Sequence, residues 1–288
     1  MEDSDFKLKV AIVGMGLIGG SYAMALSPLN TELIIGIDKD KSALESALNM
    51  GIIDKAYENG GSFLKEVDLI IIALYPKDTV KFIEDNFKYL KSGAIITDTS
   101  GIKQCVVSEI NSFLPEYLEF VPGHPMAGNE FKGIDGASKD IFKGANYIIT
   151  PTSKNTSRGI DLIDKLARKI GCSNITCISP EKHDRIITFT SQLPHVIAVA
   201  LMNSQEENEE NIKLFTGGSF RDATRVAQIN TSLWTELFTM NSDILVEEIE
   251  KFEKSINLLK KAIISKDIDS IKNIFEKASS NRRELVKR

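Results

Sequence analysis

Cysteine, histidine and tryptophan are scarce in this chain of 288 residues, which has three, three and one of them. Cys105, Cys172 and Cys177 are odd in number, and their spacing matches no zinc or haem pattern. We therefore expect free thiols, as is usual in a cytoplasmic protein, and no metal site.

Positive charge and long apolar runs are also lacking. The formal net charge is −5, whereas a nucleic-acid-binding protein needs a basic face to displace counterions from phosphates. The longest apolar run, residues 186–202, contains Gln192, Pro194 and His195 and is too short and too polar for a clear membrane span. The acidic N-terminus shows no targeting segment. We expect a cytoplasmic protein without nucleic-acid or membrane partners.

The pattern of short β-branched runs alternating with helical segments predicts a mostly parallel sheet covered by helices over residues 1–179. Strands are predicted at residues 9–14, 32–38, 68–74, 94–97, 119–122, 146–150 and 175–178, and helices at 17–27, 41–49 and 156–170. Ser179-Pro180 is a typical helix start, and no convincing strand follows it. The second domain, residues 180–288, is therefore predicted to be all-helical.

The helical half contains more apolar surface than a small domain can cover. Residues 230–265 form one long helical pattern with apolar side chains at three- and four-residue spacing, and a last helix is predicted near 269–285. Pairing of two subunits through this stripe is the expected solution, with a self-contained bundle as the alternative.

A glycine-rich turn stands between the first predicted strand and helix. It reads Gly14-Met15-Gly16-Leu17-Ile18-Gly19, in which Gly14 permits the turn, Gly16 allows a pyrophosphate to approach, and Gly19 allows close packing. Asp38 closes the second strand 19 residues later and can bind ribose hydroxyls. This pattern predicts a Rossmann-type, doubly wound domain that binds NAD rather than NADP, although Lys39 and Lys41 weaken the preference.

Two polar loops follow predicted strands. His124 lies in the loop 123–128, and histidine can accept and return a proton at neutral pH because its ordinary pKa is ~6.5. The loop 97–103 carries Asp98 and Ser100. Because ligands gather beyond the carboxyl ends of parallel strands, we expect both loops near the cofactor, with His124 as the candidate base.

Two histidines of the helical half are further candidates. His183 lies in the first turn of a helix, where pairing with its neighbour Asp184 is a simpler interpretation than catalysis. Pro194 interrupts a helical stretch and displays His195, which is either a satisfied core group or a functional one.

Two arginines follow on one predicted helical face. Arg221 and Arg225 are four residues apart, near Asp222. They form either a solvated ridge of ion pairs or a site for a substrate with carboxylates, since guanidinium groups bind carboxylates in a bidentate manner.

The order of these motifs resembles that of the prephenate dehydrogenase family. The glycine-rich turn is followed by Asp-x-x-x-x-Lys at 98–103, Gly-His-Pro-Met-Ala-Gly at 123–128, His-Asp at 183–184, Leu-Pro-His at 193–195 and Arg-Asp-x-Thr-Arg at 221–225, with Trp234 beyond. The resemblance implies a dinucleotide-binding domain joined to a helical dimerisation domain. It also implies NAD-dependent oxidative decarboxylation of prephenate to 4-hydroxyphenylpyruvate in tyrosine biosynthesis.

The resemblance assigns roles to individual residues. His124 matches the catalytic histidine, which takes the proton of the ring hydroxyl as hydride leaves the same carbon. Arg225 matches an arginine that binds a substrate carboxylate, and His195 matches a second active-site histidine. Glu130 takes the place of an acidic residue near the mouth of the site. With these we group Arg221 as a substrate residue and Gly14, Gly16, Leu17, Ile18, Gly19, Asp38 and Asp98 as cofactor residues.

One position departs from the family pattern. Many members have a serine three residues after the aspartate, where it bonds the catalytic histidine, but this chain has Gly101 there and Ser100 one residue earlier. Ser100 is the expected substitute, with Thr99 or water as alternatives. A C-terminal regulatory domain is not expected, and competition by product at the active site stays open.

Three other functions remain as alternatives. Arogenate, with an amino group in place of the keto oxygen, is the nearest alternative substrate. A β-hydroxyacid dehydrogenase shares the two-domain plan but relies on a catalytic lysine and lacks the loop at 123–128. A protein that senses NAD without catalysis is the third alternative, and the presence of His124 and Arg225 argues against it.

Overall fold

The computed structural model describes residues 6–128, 133–205 and 212–286 of the chain. Its strands are β1 (Lys9–Val13), β2 (Leu33–Ile37), β3 (Lys55–Tyr57), β4 (Leu69–Ile72), β5 (Ile95–Asp98), β6 (Glu119–Phe120), β7 (Gly123–Pro125), β8 (Asn146–Ile149) and β9 (Asn174–Cys177). Its helices are α1 (Leu17–Leu26), α2 (Lys41–Asn49), α3 (Pro76–Asn86), α4 (Gln104–Phe113), α5 (Ser157–Lys169), α6 (Pro180–Ile187), α7 (Leu193–Asn203), α8 (Gly218–Thr224), α9 (Thr231–Met240), α10 (Ser242–Ile264) and α11 (Ile268–Val286).

The main sheet is parallel throughout and has the strand order β3-β2-β1-β4-β5-β6. Its central strands, β1 and β4, are buried on both faces apart from the partly buried Lys9, which explains their otherwise aliphatic sequences. The strand order reverses between β1 and β4, and ligands bind at such a switch point, beyond the carboxyl ends of the strands. The expected Rossmann-type sheet is therefore confirmed.

The second sheet places the candidate base on a strand rather than on the expected loop. β7 pairs antiparallel with β8, with His124 opposite Ile148, and β8 pairs parallel with β9. The sequence around His124 gave no strand signal because β7 is three residues long and consists of Gly, His and Pro. β3 was missed for a similar reason, since its three residues form a short strand at the sheet edge.

From Pro180 to Val286, outside the gap at 206–211, the described chain is helical. Ser179 caps α6 as expected, its hydroxyl accepting the Lys182 N–H at 3.3 Å. The long helix predicted over 230–265 is two helices, α9 and α10, which break at Asn241. At this break the Asn241 side chain bonds Thr188 and Gln192, which belong to a turn of π-helix over Thr188–Gln192 that joins α6 to α7.

The helical half leaves much apolar surface exposed. Pro180–Asn203 is long and apolar enough to cross a membrane, contrary to expectation, because the helical run extends back to Pro180. It also contains buried His183 and Asp184, and only 28% of its most apolar window is buried. Apolar side chains that are 48–72% exposed continue along α10 and α11: Ile256, Leu258, Ile263, Ile264, Ile268 and Phe275. This surface is available for subunit pairing.

Candidate active site

The three glycines of the turn after β1 have different surroundings. Gly14 has φ +88°, and a Cβ there would lie 2.5 Å from the carbonyl oxygen of Ala73. A Cβ on Gly19 would lie 1.8 Å from the carbonyl oxygen of Gly14. A Cβ on Gly16 would meet nothing within 4 Å, and no side chain caps the first turn of α1. The open space at Gly16, beside uncapped N–H groups, fits a pyrophosphate.

Asp38 stands at the end of β2 beside this turn. One carboxylate oxygen accepts the Met15 N–H and the other accepts the Asp40 N–H. Each oxygen keeps a lone pair, so the carboxylate is held in place and still accepts hydrogen bonds from ribose hydroxyls. Lys41 is paired with Glu58 at 2.9 Å, which reduces the positive charge near the site. The residues present therefore fit NAD.

A cleft of about 920 Å³ lies at the switch point of the sheet and is closed on its far side by the helical half. The α/β wall contributes Gly16, Leu17, Ile18, Ser100 and His124, and the helical wall contributes Ser191, Gln192, His195, Arg225 and Trp234. The structure thus brings most of the expected site residues into one cavity. Gly14, Gly19 and Asp38 support the turn from behind.

His124 is the first member of a buried chain of hydrogen bonds. Its Nδ1 is 2.8 Å from Nε2 of His183, and His183 Nδ1 is 2.7 Å from Oδ1 of Asp184. A carboxylate only accepts, so His183 carries its proton on Nδ1 and its Nε2 is an acceptor. His124 must then donate from Nδ1, which leaves its Nε2 unprotonated. The chain presents His124 as a base toward the cleft.

Asp184 is held in turn by the start of α4. Its Oδ1 accepts the N–H of Lys103 and its Oδ2 accepts the N–H of Gln104, both at 2.8 Å. The Lys103 ammonium is fully buried and pairs with Asp98 at 2.7 Å. Asp98 also accepts the N–H of Gly123, the residue before His124, at 3.2 Å. These contacts connect both ends of the histidine chain.

Burial keeps the site histidines neutral. Desolvation, followed by the nearby His183 and Lys103, holds the pKa of His124 well below its usual 6.5. Desolvation also lowers the pKa of His183, although Asp184 acts in the opposite direction. The pKa of the buried Lys103 ammonium is lowered by desolvation, against the attraction of Asp98. A neutral imidazole at physiological pH is what a general base requires.

His195 forms part of the helical wall. Its ring stacks on Trp234 with centroids 3.6 Å apart, and its Nδ1 lies 2.8 Å from the carbonyl oxygen of Ser191. Because that carbonyl only accepts, the proton is on Nδ1 and Nε2 is an acceptor. Desolvation lowers the pKa of His195, and Arg225 adds to the effect against the Ser191 bond.

Four expectations need correction or fall outside the structure. Asp98, expected among the cofactor residues, is fully buried, does not line the cleft, and bonds Lys103 and Gly123. Ser100 lines the cleft, but its buried hydroxyl has no hydrogen-bond partner in the described chain, and His124 bonds His183 instead. Arg221 is exposed outside the cleft, because α8 ends at Thr224 and breaks its helical alignment with Arg225. Glu130 lies outside the described residues.

Sequence reasoning missed three residues of the site. His183 and Asp184 were interpreted as a local pair, and they do pair, but the pair also contacts His124. The adjacent His-Asp at a capped helix start was the available signal. Gln192 had no signal, because its role depends on a turn of π-helix that the sequence pattern does not reveal.

A doubly wound sheet with a glycine-rich turn, an acidic residue after β2 and a histidine base in the facing cleft defines an NAD-dependent dehydrogenase. Comparison with known proteins is more specific. Family models described as the nucleotide-binding and the dimerization domain of prephenate dehydrogenase match residues 27–176 and 179–277. The chain therefore belongs to the prephenate dehydrogenase family.

Individual relatives agree with this assignment. The chain is 30% identical to prephenate dehydrogenase of Bacillus subtilis, over 97% of this chain and 76% of that protein. The crystal structure of prephenate dehydrogenase from Aquifex aeolicus with hydroxyphenyl propionate and NAD+ is similar with a TM-score of 0.89 and 28% identity, covering 96% of this chain and 98% of that one. Synechocystis arogenate dehydrogenase is similar with a TM-score of 0.81 and 25% identity, covering 97% and 100%.

Two glycine substitutions separate cofactor binding from folding. We expect Gly16→Ala to weaken NAD binding at least tenfold without loss of stability, because its Cβ occupies only the open space of the cleft. Gly19→Ala is expected to lower the free energy of unfolding by about 1–3 kcal/mol or more, because its Cβ overlaps the Gly14 carbonyl. Calorimetric NAD titration and urea unfolding measure the two effects. Unchanged NAD affinity in Gly16→Ala would place the pyrophosphate elsewhere.

The histidine chain is tested with Asp184→Asn, which removes the negative charge behind His183. We expect kcat to fall about 10- to 100-fold, the worth of one hydrogen bond to a charged group. The acidic limb of kcat/KM, which lies below pH 6.5 in the parent because the His124 pKa is lowered, should move to still lower pH, since the imidazolium loses stabilisation. Asp161→Asn, at an exposed site on α5, is the matched control. A fall in kcat without a shift of the acidic limb of kcat/KM would contradict the proposed coupling between Asp184 and His124.

Proposed function

We propose that the chain catalyses the oxidative decarboxylation of prephenate to 4-hydroxyphenylpyruvate, carbon dioxide and NADH, a step of tyrosine biosynthesis. The observation that carries the proposal is the tautomer of His124, whose unprotonated Nε2 is left to the cleft beside the glycine-rich turn. Family membership and the similar structure solved with hydroxyphenyl propionate and NAD+ support the same substrate class.

In this reaction His124 accepts one proton and later returns it. When bound, NAD supplies the hydride acceptor. His124 Nε2 takes the hydroxyl proton as hydride leaves the same ring carbon, which becomes a carbonyl carbon. The bond to the ring carboxylate then breaks and releases carbon dioxide, its electron pair enters the ring, and the carbonyl oxygen takes the proton back. His183 and Asp184 stabilise the transient imidazolium, and the gain of aromaticity makes decarboxylation favourable.

The helical wall supplies the groups that hold an acidic substrate. Arg225 is a substrate-carboxylate residue, since it lines the cleft that the glycine turn also lines, and a guanidinium binds carboxylates in a bidentate manner. His195 is fixed against Trp234 at the same wall and packs on the substrate. Ser100, whose hydroxyl has no partner in the described chain, is a hydrogen-bonding group for substrate at the cleft floor. On the other wall Leu17 and Ile18 offer N–H groups to the cofactor.

We also propose a cytoplasmic homodimer that pairs through residues 180–288, with residues 1–179 forming the dinucleotide-binding domain. The match of a dimerization-domain model to residues 179–277 supports the pairing. The apolar side chains exposed along α10 and α11 support it independently. The free thiols Cys105, Cys172 and Cys177 are consistent with the cytoplasm.

Turnover tests the function directly. The full chain is mixed with NAD and prephenate, and NADH is followed by absorbance. His124→Asn is expected to lower kcat by about 10²- to 10⁴-fold, the usual worth of a general base, with unchanged NAD affinity by calorimetry. Arg225→Ala is expected mainly to raise KM. Turnover of His124→Asn at the parent rate would show that the base is another group.

Arogenate is assayed in parallel. Turnover of arogenate alone would contradict the proposed substrate but not the proposed reaction, because the ring and its carboxylate are the same in both compounds. NAD binding without turnover of either compound would favour the non-catalytic alternative.

Sedimentation at micromolar protein tests the dimer. The parent is expected to be a dimer, and Ile264→Asp, at a side chain that is 72% exposed in one copy, to shift it toward monomer because a charge is buried on pairing. Lys254→Asp, on a polar part of α10, is the control and should leave the dimer intact. A monomeric parent would overturn the proposal.

A further inference from the structure

Gln192 is a buried polar residue to which the proposed chemistry gives no task. It ends the turn of π-helix Thr188–Gln192, is 1% exposed and lines the cleft between Ser191 and His195. Turns of π-helix are rare and are frequently found at functional sites. The surroundings of Gln192 therefore indicate what its side chain offers.

The orientation of the Gln192 amide follows from a carbonyl that can only accept. The Thr188 hydroxyl donates its one proton to the carbonyl oxygen of Asp184, at 2.6 Å. Thr188 Oγ1 must then accept from its neighbour Asn241 at 2.7 Å, so the amide end of Asn241 that faces it is Nδ2. The same Nδ2 lies 2.9 Å from Gln192. The atom of Gln192 that meets this donor is consequently its acceptor, Oε1.

The other end of the Gln192 amide, Nε2, is thereby directed away from Asn241. It is buried and has no hydrogen-bond partner in the described part of the chain. A buried donor without a partner lowers stability, and such groups persist where a ligand satisfies them. Gln192 lines the cleft, and a bound molecule that reached this buried Nε2 would supply the acceptor that it lacks.

The polar groups of the helical wall differ in how they distinguish a keto oxygen from an ammonium group. Arg225 recognises carboxylates, which prephenate and arogenate share. His195 offers Nε2 as an acceptor, which suits an ammonium rather than a keto oxygen. Uncharged donors also occur on Ser191, Gln228, Asn230 and Trp234, and that of Asn230 is used by the Tyr75 hydroxyl. Gln192 differs in having a buried amide donor with no partner in the described part of the chain. A fixed donor binds a keto oxygen and is unfavourable toward an ammonium.

We propose that Gln192 Nε2 donates a hydrogen bond to the 2-oxo group of the substrate side chain and selects the 2-oxo acid over the 2-amino acid. This inference rests on the proposed function, because it assigns a specificity residue to the same cleft. Asn241 and Thr188 act as positioning residues that fix the direction of the amide. The substrate class is then a cyclohexadienyl 2-oxo acid.

The main test replaces the donor with an acceptor of the same shape. Gln192→Glu still accepts from Asn241 but presents a carboxylate oxygen to the cleft. We expect the ratio of kcat/KM for prephenate to that for arogenate to fall at least tenfold. The dissociation constant of 4-hydroxyphenylpyruvate divided by that of tyrosine, which differ by the same group, should rise correspondingly, as measured by calorimetry with NADH present.

Two further variants separate recognition from general damage. Gln192→Met removes the donor without adding charge, so we expect weaker use of prephenate and little change for arogenate. Asn241→Asp replaces the donor that holds Gln192 Oε1 with an acceptor, so the Gln192 amide should rotate by about half a turn. The ratio of kcat/KM for prephenate to that for arogenate should then fall, although residue 241 does not line the cleft. Circular dichroism and NAD affinity confirm that each variant folds.

The outcomes distinguish the two proposals. Equal losses for both substrates in Gln192→Glu would show that Gln192 binds a group they share and would overturn the selection, as would an unchanged ratio. If the parent turns over neither compound, the proposed function fails. The binding of the two products still tests Gln192 in that case, because it needs no turnover.

Discussion

The buried pair of Asp98 and Lys103 is the interaction on which the site depends. Both side chains are fully buried, and removing two charges from water costs several kcal/mol per ion unless further hydrogen bonds compensate. Here they do: Asp98 also accepts the Gly123 and Ser100 N–H groups, and the Lys103 backbone bonds Asp184. The pair therefore fixes the strand that carries the base and the carboxylate that orients it.

This arrangement joins the two halves of the molecule through polar contacts at the reacting group. His124 belongs to a strand of the α/β half, whereas His183 and Asp184 belong to the first helix of the other half. A shift of α6 would break the bond between the two rings and release the tautomer of His124. The basicity of His124 Nε2 thus depends on how the helical half packs against the α/β half.

The sequence predicted the fold well because the signals for it are local. Periodicity, Gly14, Gly16 and Gly19, and the helix start at Ser179 are each determined by a few neighbouring residues. The site was predicted in part: His124, His195 and Arg225 reach the cleft, whereas Asp98 and Arg221 do not. Burial of Asp98, the end of α8 and the contact of His183 with His124 depend on packing between distant segments. Spacing along the chain carries no information about such contacts.

The stacking of Trp234 on His195 has a practical consequence. The chain has a single tryptophan, and it lies in the cleft with its ring 3.6 Å from an imidazole. Indole fluorescence responds to nearby rings, protons and solvent, so tryptophan emission, excited selectively over that of the six tyrosines, reports on this wall alone. The molecule thus carries its own optical reporter of cleft occupancy, which needs neither a label nor a chemical reaction.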